Sequence, residues 1–416
     1  MKLFFKLFVM ISQDVQGPAF DNTEIAFRHK DLPALKKAYR LFKLMSYRWP
    51  LVLGLPLLDV ALRLRLPVDG LVRRTIFDHF CGGESIEKCS VAITQLGWLG
   101  VGTILDYSVE SGDSDVDFDR TGAEIQATIR YAAGNPLVPF AVVKLTGLGS
   151  FRLLEKVSAK QSLTKSETEA FGKLKNRFFS ICEAASRYNV SLLIDAEHSW
   201  IQDTVDALAL EAMKLHNHTR PLIYNTYQLY RSDKLASLKT DYDQSRKDGF
   251  YLGAKVVRGA YMELERRRAS QLGYHSPIHA DKAGVDKDFD EAVSFCLDHI
   301  SHIGLVLGTH NESSCSLAAM KMATLGIPAN HPGVYFSQLL GMSDHISFNL
   351  AHTKFNVAKY MPYGPVKHVM PYLLRRAQEN AAVAGQSGRE LSLLKQEIRR
   401  RKNTTAAITD EKEPIS

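Results

Sequence analysis

The chain has 416 residues, of which 45% are hydrophobic and 23% are charged. These fractions exclude a disordered or low-complexity chain, and the length allows two or three domains or one α/β barrel with added helices. The formal net charge is +7, but there is no basic-aromatic repeat and no zinc-finger spacing, so we predict no nucleic-acid partner. The five cysteines form neither a metal-binding nor a disulfide pattern and predict reduced thiols in a cytosol-like compartment.

The N-terminus combines a basic start with a short apolar stretch. Lys6 interrupts that stretch and no clear small-residue cleavage site follows, which argues against a signal peptide. The segment also lacks the Arg- and Ser-rich character of a transit peptide. Because the chain contains no window of about 18 uninterrupted apolar residues, we predict no transmembrane helix.

Before residue 101 the chain reads mainly as helices. The stretch from Trp49 to Phe77 mixes apolar runs with four arginines and three prolines, which predicts two or three short helices with basic flanks. An ordinary helical cap on the main domain is the favoured interpretation. The alternative is a surface that touches a bilayer or a partner.

From about residue 101, short β-branched or aliphatic runs alternate with charged, helical stretches. Strand-like runs separated by helices predict parallel βαβ units, and eight such runs predict a closed, TIM-like (βα)8 barrel of the α/β class. The eight predicted strands are Val101–Glu110, Val138–Leu145, Val190–Asp195, Pro221–Tyr227, Gly253–Tyr261, Gly304–His310, Gly333–Leu339 and Asn356–Pro362.

Polar residues gather at or near the ends of these predicted strands. In a (βα)8 barrel the chemistry sits where strands run into the following loops, so these side chains are expected around one mouth. They are Glu110, Lys144, Asp195, Asn225, Arg258, Tyr261, His310 and Tyr360. The alternatives are that Lys144 is a surface lysine, that Asp195 caps the next helix and that His310 is a core residue.

Residues 372–380, with sequence YLLRRAQEN, predict a helix that carries two adjacent arginines after the eighth strand. Tyr372, Arg375, Arg376 and Glu379 are spaced i, i+3, i+4 and i+7 and therefore share one face. Two planar guanidinium groups beside an aromatic ring suit a small organic carboxylate, held by charge-assisted hydrogen bonds. A solvated basic face is the alternative when the segment is taken alone.

Beyond Ala384 the sequence turns polar and charged, and we expect residues 386–416 to form a basic, disordered tail. No Gly-x-Gly-x-x-Gly follows a predicted strand, so a Rossmann-type dinucleotide site is not predicted. His216 and His218 lack convincing ligand support, so no metal site is predicted.

Four segments, in this order, resemble the proline dehydrogenase family of flavoenzymes: DAEHSW (195–200), KVVRGAYMELER (255–266), GTHNESS (308–314) and YLLRRAQEN (372–380). FDNTEIAF (20–27) and FCGGES (80–85) resemble it too. The resemblance implies an N-terminal extension over 1–19, a helical region over 20–100 and a distorted (βα)8 barrel over 101–385. It also implies bound FAD and a monofunctional enzyme that oxidises L-proline to Δ1-pyrroline-5-carboxylate, the first step of proline catabolism.

The resemblance also implies how the substrate is held. In the family the tandem arginines, here Arg375 and Arg376, hold the substrate carboxylate. A lysine that matches Lys144 shares this anion, and Glu110 falls where a family carboxylate pairs with the second arginine across the entrance. The residues implied to line or brace the pocket are Asp195, Tyr261, Tyr360, Tyr372 and Glu379.

For FAD, the resemblance places Lys255 near flavin N5, where many relatives have arginine. Arg258, three residues on, reaches either the cofactor or the barrel wall. A family glutamine that contacts the isoalloxazine from the fourth strand corresponds to either Asn225 or Gln228. The other residues implied to contact the cofactor are Gly259, Ala260, Thr309, His310 and Asn311.

Substrate choice and electron transfer are also implied by the resemblance. Relatives that prefer hydroxyproline tend to have a smaller residue at the position of Tyr360, so we predict L-proline as the substrate and hydroxyproline as the alternative. Electrons are expected to pass to a quinone, with peripheral membrane contact, in the cytoplasm or in the mitochondrion of a eukaryote. A non-catalytic amino-acid-binding barrel is disfavoured by Lys255 and the segment Gly308–Asn311.

Overall fold

The computed structural model describes residues 17–45, 76–109, 112–370 and 386–410. Eight parallel strands pair in chain order, and the last strand pairs with the first over seven residue pairs to close a barrel. This closed barrel confirms the predicted fold class. The strands are β1 (Val101–Tyr107), β2 (Phe140–Val143), β3 (Ser191–Ile194), β4 (Ile223–Gln228), β5 (Leu252–Val257), β6 (Ile303–Gly308), β7 (Val334–Leu339) and β8 (Val357–Tyr363).

Helices surround the barrel and also precede it. None of the helices in the described ranges is long and apolar enough to cross a membrane. Among these residues the helices are α1 (Thr23–Phe27), α2 (Leu32–Met45), α3 (Asp78–Phe80), α4 (Ile86–Trp98), α5 (Asp115–Ala132), α6 (Phe151–Ser158), α7 (Lys165–Arg187), α8 (Ser199–His216), α9 (Lys234–Asp248), α10 (Met262–Leu272), α11 (Lys282–Asp298), α12 (Glu312–Thr324), α13 (Asp344–His352) and α14 (Gln386–Asp410).

Five of the predicted strands, the first, second, third, fifth and sixth, are too long at their carboxyl ends, and the largest differences are in β1 and β5. β1 ends at Tyr107 rather than at Glu110, and β5 ends at Val257 rather than at Tyr261. After β5 the backbone turns at Gly259, which has φ +124°. A Cβ atom at Gly259 would lie 2.4 Å from the ring of Tyr230, so this turn requires glycine.

Side-chain alternation along the strands divides the core into two layers. The outer layer lies between the strands and the helices, whereas the inner layer fills the barrel with Ile104, Phe140, Val142, Leu193, Tyr224, Val306, Ala358 and Tyr360. Phe140 meets the rings of Tyr224 and Tyr335 edge-on, with centroid separations of 5.6 Å and 4.9 Å. These rings lie near the amino ends of their strands, so they close that end of the barrel and leave the carboxyl-terminal end for polar groups.

Glycine makes room for the ring of Tyr224. Gly253 on β5 pairs with Gly304 on β6, and a Cβ atom at Gly304 would lie 2.4 Å from the Tyr224 hydroxyl oxygen. A larger residue at Gly304 would displace this ring, and one at Gly253 would collide with the backbone of β4 at Ile223.

The expected disorder of residues 386–416 is wrong for residues 386–410, which form α14. Leu393 and Leu394 are buried against a cluster that includes Phe27 of α1 and Phe42 of α2. The carboxylate of Glu397 is fully buried and accepts a hydrogen bond from the Thr23 hydroxyl at 2.9 Å.

Arginines of the same helix complete this docking. Arg400 and Arg401 both pair with Glu397, and Arg401 also donates to the backbone carbonyls of Lys30 and Phe27 at 2.5 Å and 2.9 Å. Composition alone was misleading, because the charges that made this segment look solvated are paired with one another and with the N-terminal helices.

A second buried carboxylate of α14, that of Glu390, has fewer hydrogen-bond donors than that of Glu397. Glu390 is 3% exposed and accepts a hydrogen bond from the backbone N–H of Ser343 at 3.2 Å. Burial raises the pKa of Glu390 to about 7, and the carboxylate of Asp344 adds to this effect. His345, the Ser343 N–H and Lys359 act in the opposite direction.

We predict that Glu390→Gln stabilises the protein at pH 8 and changes its stability little at pH 5. The folded protein binds the Glu390 proton more tightly than the unfolded chain does, so the free energy of unfolding falls as the pH rises from 4.5 through about 7. Glutamine cannot ionise and should recover on the order of 2 kcal/mol at pH 8. Urea unfolding at both pH values measures this, with the exposed Glu169→Gln as the control. A destabilised Glu390→Gln at pH 8 would contradict the prediction.

Candidate active site

Charged side chains from four strands meet at the carboxyl-terminal mouth of the barrel. Lys255 Nζ lies 2.5 Å from Asp195 Oδ1, and Lys144 Nζ lies 2.6 Å from Asp106 Oδ1. Lys144 Nζ is also 3.3 Å from Asp195 Oδ2, and the Tyr360 hydroxyl donates to that same oxygen at 2.6 Å. We call Asp106, Lys144, Asp195 and Lys255 the charged quartet.

Strand register places these side chains at the mouth. Three of them follow an inner-layer residue by two positions, and Lys255 is in register with the inner-layer residue Val306, so all four point into the barrel. Asp106 follows Ile104, Lys144 follows Val142, and Asp195 follows Leu193. The sequence thus continues an apolar inner face into a polar one at the carboxyl ends of the strands.

The quartet is buried and balanced in charge. The side chains of Asp106, Lys255 and Asp195 are 3%, 9% and 12% exposed, and Lys144 is the most accessible at 27%. Burial alone would raise the pKa of Asp195, but the ammonium groups of Lys255 and Lys144 and the Tyr360 hydroxyl outweigh it and hold the pKa below its usual value. Asp195 is therefore ionised at neutral pH.

The structure brings together four residues that the sequence nominated, and it adds a fifth. Lys144, Asp195 and Tyr360 were expected near one mouth, and the family resemblance placed Lys255 near the flavin. Asp106 was missed because it lies inside the apolar run VGTILDY, a pattern that predicts a buried strand without polar site residues. The available signal for Asp106 was its charge: it follows the buried Ile104 by two positions, so it lies on the same face of the strand, where a charged side chain needs a partner.

The alternation of side chains along β4 distinguishes Asn225 from Gln228, the two candidates for the flavin contact. Gln228 shares its face of β4 with the inner-layer residue Tyr224, and its Nε2 donates to the carbonyl oxygen of Glu197 at 2.7 Å. Asn225 faces the helix layer instead, where its Nδ2 donates to Asp206 of α8 at 2.9 Å. This placement is inconsistent with the cofactor contact suggested for Asn225 and leaves Gln228 as the candidate.

Glu197 is a second buried residue that was missed, although the segment DAEHSW contains it. Its carboxylate accepts hydrogen bonds from both the backbone N–H and the hydroxyl of Thr146, at 3.2 Å and 2.5 Å. Burial raises the pKa of Glu197, while the bonds from Thr146 lower it. Glu197 thereby ties the loop after β2 to the loop after β3, and its carbonyl fixes Gln228.

Three of the expected cofactor contacts have partners in the barrel wall. Arg258 donates to Asp286, Thr309 and Ser314 at 2.8, 2.8 and 2.9 Å, and its guanidinium lies 4.2 Å from the ring centre of Phe289. Of the two interpretations of Arg258, the structure therefore favours the barrel wall, and Thr309 is one of its partners there.

The third of these contacts is Asn311, which serves as a helix cap. Its side chain accepts from the Ser314 N–H at 3.1 Å at the start of α12. This bond gives Asn311 a structural role whether or not it also reaches a cofactor.

The remaining described candidates lie around the rim. His310 Nδ1 is 2.9 Å from the hydroxyl of Ser343, a residue in the left-handed region with φ +50°. The ring of Tyr261 lies 4.2 Å from that of His198, and Ala260 beside it is half-buried. Glu110, Tyr372, Arg375, Arg376 and Glu379 lie outside the described residues, so the carboxylate clamp and the entrance pair stay predictions.

Comparison with known proteins identifies relatives of the whole barrel. A family model described as Proline dehydrogenase matches residues 89–389. Proline dehydrogenase 1, mitochondrial, of Dictyostelium discoideum is 34% identical over 384 residues, covering 82% of this chain and 67% of that protein. Hydroxyproline dehydrogenase of Xenopus laevis is 31% identical over 366 residues, covering 79% of this chain and 78% of that protein.

A solved structure supports the same architecture. Proline utilization A from Bdellovibrio bacteriovorus, inactivated by N-propargylglycine, matches with a TM-score of 0.68 at 18% identity. The match covers 89% of this chain but only 40% of that one, so this chain spans less than half the length of that protein.

We predict that Asp195→Asn lowers the free energy of unfolding by about 3 kcal/mol, because it leaves the buried Lys255 without its nearest carboxylate. Adding Lys255→Met should recover part of this loss, because the uncompensated cation is removed. Chemical denaturation of both single variants and the double variant measures the coupling. Glu183→Gln, which breaks an exposed pair with Arg187, is the control and should change stability little. Additive losses in the double variant would mean that the two residues do not stabilise each other.

Proposed function

The chain belongs to the proline dehydrogenase family, a family of oxidoreductases, and we propose that it oxidises L-proline to Δ1-pyrroline-5-carboxylate with bound FAD. One observation carries the proposal. Lys144, Asp195, Lys255 and Tyr360, which come from separate parts of the sequence, contact one another at the mouth of the barrel. Family membership and this cluster together favour chemistry on a small, zwitterionic amino acid.

The side chains around this mouth fit a flavin. Gln228 commits its amide nitrogen to Glu197, which leaves its amide oxygen as the end that can accept from a ring N–H. Lys255 supplies a buried cation suited to a ring that becomes anionic when reduced. When bound, FAD supplies the redox chemistry by accepting hydride at N5 from the ring carbon next to the substrate nitrogen.

The protein's own residues hold and orient the substrate. Lys144 presents the most accessible cation of the quartet and is the proposed partner of the substrate carboxylate. Asp195 is ionised, so it can accept a hydrogen bond from the substrate amine but cannot return a proton to it. The substrate nitrogen must itself lose a proton before hydride departs, so that its lone pair can assist that step.

The carboxylate clamp of this proposal comes from residues outside the described ranges. Arg375 and Arg376 are the proposed main partners of the carboxylate, with Tyr372 and Glu379 beside them. Glu110 is proposed to pair with Arg376 across the entrance. His310 and Tyr261, at the rim, are proposed to face the cofactor and the substrate respectively.

The flavin spectrum tests the proposal directly. We expect the purified protein to absorb in the visible range as an oxidised flavoprotein and to bleach on anaerobic addition of L-proline. Later addition of a short-chain quinone should restore the oxidised spectrum, and should do so faster when the quinone is dissolved in anionic vesicles if the membrane contact is real. A protein that binds no flavin after addition of FAD would contradict the proposal and favour a non-catalytic amino-acid-binding barrel.

Hydroxyproline is the second candidate substrate, because the Xenopus laevis relative is named a hydroxyproline dehydrogenase. Tyr360 favours proline: its ring fills the inner face of β8 and its hydroxyl is bonded to Asp195. Steady-state turnover with each substrate and a quinone acceptor gives their ratio of kcat/KM. A higher value for hydroxyproline would overturn the choice of substrate while leaving the reaction class intact.

We predict that Arg376→Met raises the KM for L-proline at least tenfold, because a charge-assisted bond to the carboxylate is lost. Glu110→Ala should raise KM less, because it removes only the proposed partner of Arg376. Steady-state kinetics of the two variants measures both effects. A large rise in the KM for L-proline in Arg376→Met, with no change in Glu110→Ala, would contradict the entrance pair but not the carboxylate clamp.

A further inference from the structure

Ser343, between β7 and α13, has an unusual backbone conformation. In the described ranges the non-glycine residues with positive φ are Lys160, Asn189, Ser343 and Lys354. The other three are exposed and follow the carboxyl end of a helix, where the left-handed conformation is common. Ser343 is instead fully buried and precedes a helix, with φ +50°. A left-handed serine costs free energy, so contacts around it must hold it in place.

The hydroxyl group of Ser343 contacts the candidate site. A serine that precedes a helix usually has an extended backbone and accepts a hydrogen bond from an N–H of the first turn. The left-handed backbone turns the hydroxyl of Ser343 towards His310 instead, and its Oγ lies 2.9 Å from Nδ1 of that ring. A hydrogen bond at one ring nitrogen fixes both the orientation of an imidazole and the nitrogen that carries its proton.

Two adjacent residues of α14 hold this arrangement in place. The carboxylate of Glu390 accepts from the backbone N–H of Ser343 at 3.2 Å. Arg389 pairs at 2.9 Å with Glu312, the first residue of α12. The amino-terminal end of α14 thus contacts Ser343 itself and the residue two positions after His310.

We propose that Ser343 is a positioning residue for His310, and that Glu390 of α14 holds Ser343 in its left-handed conformation. The hydroxyl of Ser343 fixes the imidazole at the mouth of the barrel in the orientation that binds the flavin. This inference rests on the proposed function, because it assumes that His310 faces the cofactor. Ser343 acts on the flavin only through this ring, so its effect disappears when the ring is absent.

The rate at which the flavin-loaded, full-length protein releases FAD on dilution, followed by flavin fluorescence, tests the inference. Ser343→Gly keeps the positive φ without strain but removes the hydroxyl. We expect this variant to release FAD about fivefold faster, which is the effect of one lost hydrogen bond. His310→Ala should speed release about tenfold, and adding Ser343→Gly to it should change the rate by less than about twofold.

A structural role of Ser343 that does not involve the ring would give independent effects. Ser343→Gly would then speed FAD release equally with and without His310, and that result would overturn the inference. Ser245→Ala is the control, because it also removes a fully buried hydroxyl, one that donates to the carbonyl of Tyr242 at 2.8 Å in α9. It should leave the release rate within about twofold of the wild-type rate.

A pair of variants at Glu390 tests the part played by α14, and decides the question if Ser343→Gly fails to fold. Glu390→Leu removes the acceptor for the Ser343 N–H and should speed FAD release about threefold. Glu390→Gln keeps an amide oxygen as the acceptor and should stay within about twofold of the wild-type rate. Equal rates in the two variants would contradict the part assigned to α14.

Failure of the inference can be told from failure of the proposed function. Wild-type protein that is bleached by L-proline, together with a Ser343→Gly variant that releases FAD at the wild-type rate, would refute the inference alone. Unchanged release from His310→Ala would refute the contact between His310 and the cofactor, and the inference with it, but not the reaction. Wild-type protein that binds no flavin would refute the proposed function and the inference together.

Discussion

Pairing of buried charge is the constraint on which the mouth of this barrel depends. An isolated ammonium or carboxylate inside a protein costs several kcal/mol, and a pair recovers that cost only when its geometry is good. Here each lysine of the quartet has a carboxylate oxygen within 2.6 Å, and every pair joins different strands. The charges are therefore satisfied only when the strands lie side by side in the observed register, so the same contacts that prepare a site for an ionic ligand also specify how the barrel closes.

Buried charge is also paired on the outer face of β8. Lys359 is 1% exposed and lies 2.9 Å from Asp344, which also binds Lys30 in the N-terminal region. The two lysines outweigh burial and hold the pKa of Asp344 below its usual value. Because Lys359 faces outward and its neighbour Tyr360 faces inward, β8 serves two charge networks at once. A slip of one residue would exchange the two side chains and break both networks.

Much of this arrangement could be predicted from the sequence, and the failures have physical reasons. Eight aliphatic runs gave eight strands, and polar residues at their ends led to Lys144, Asp195 and Tyr360. Asn225 could not be separated from Gln228, because only the strand register says which face is inside. The helix α14 was missed because composition does not tell a charge that meets water from a charge that meets a partner elsewhere in the chain, and Asp106 was missed because it lies within an apolar run.

The hydrogen bond between Thr23 and Glu397 joins residues 374 positions apart, and β1 finds one of its two neighbours only in β8. Neither contact can form until most of the chain has been synthesised. Until then the edge of β1 that β8 covers and the apolar faces of α1 and α2 stay exposed on a nascent protein. The enzyme thus completes its fold only after most of the chain has been made, and these early segments wait for partners that are synthesised last.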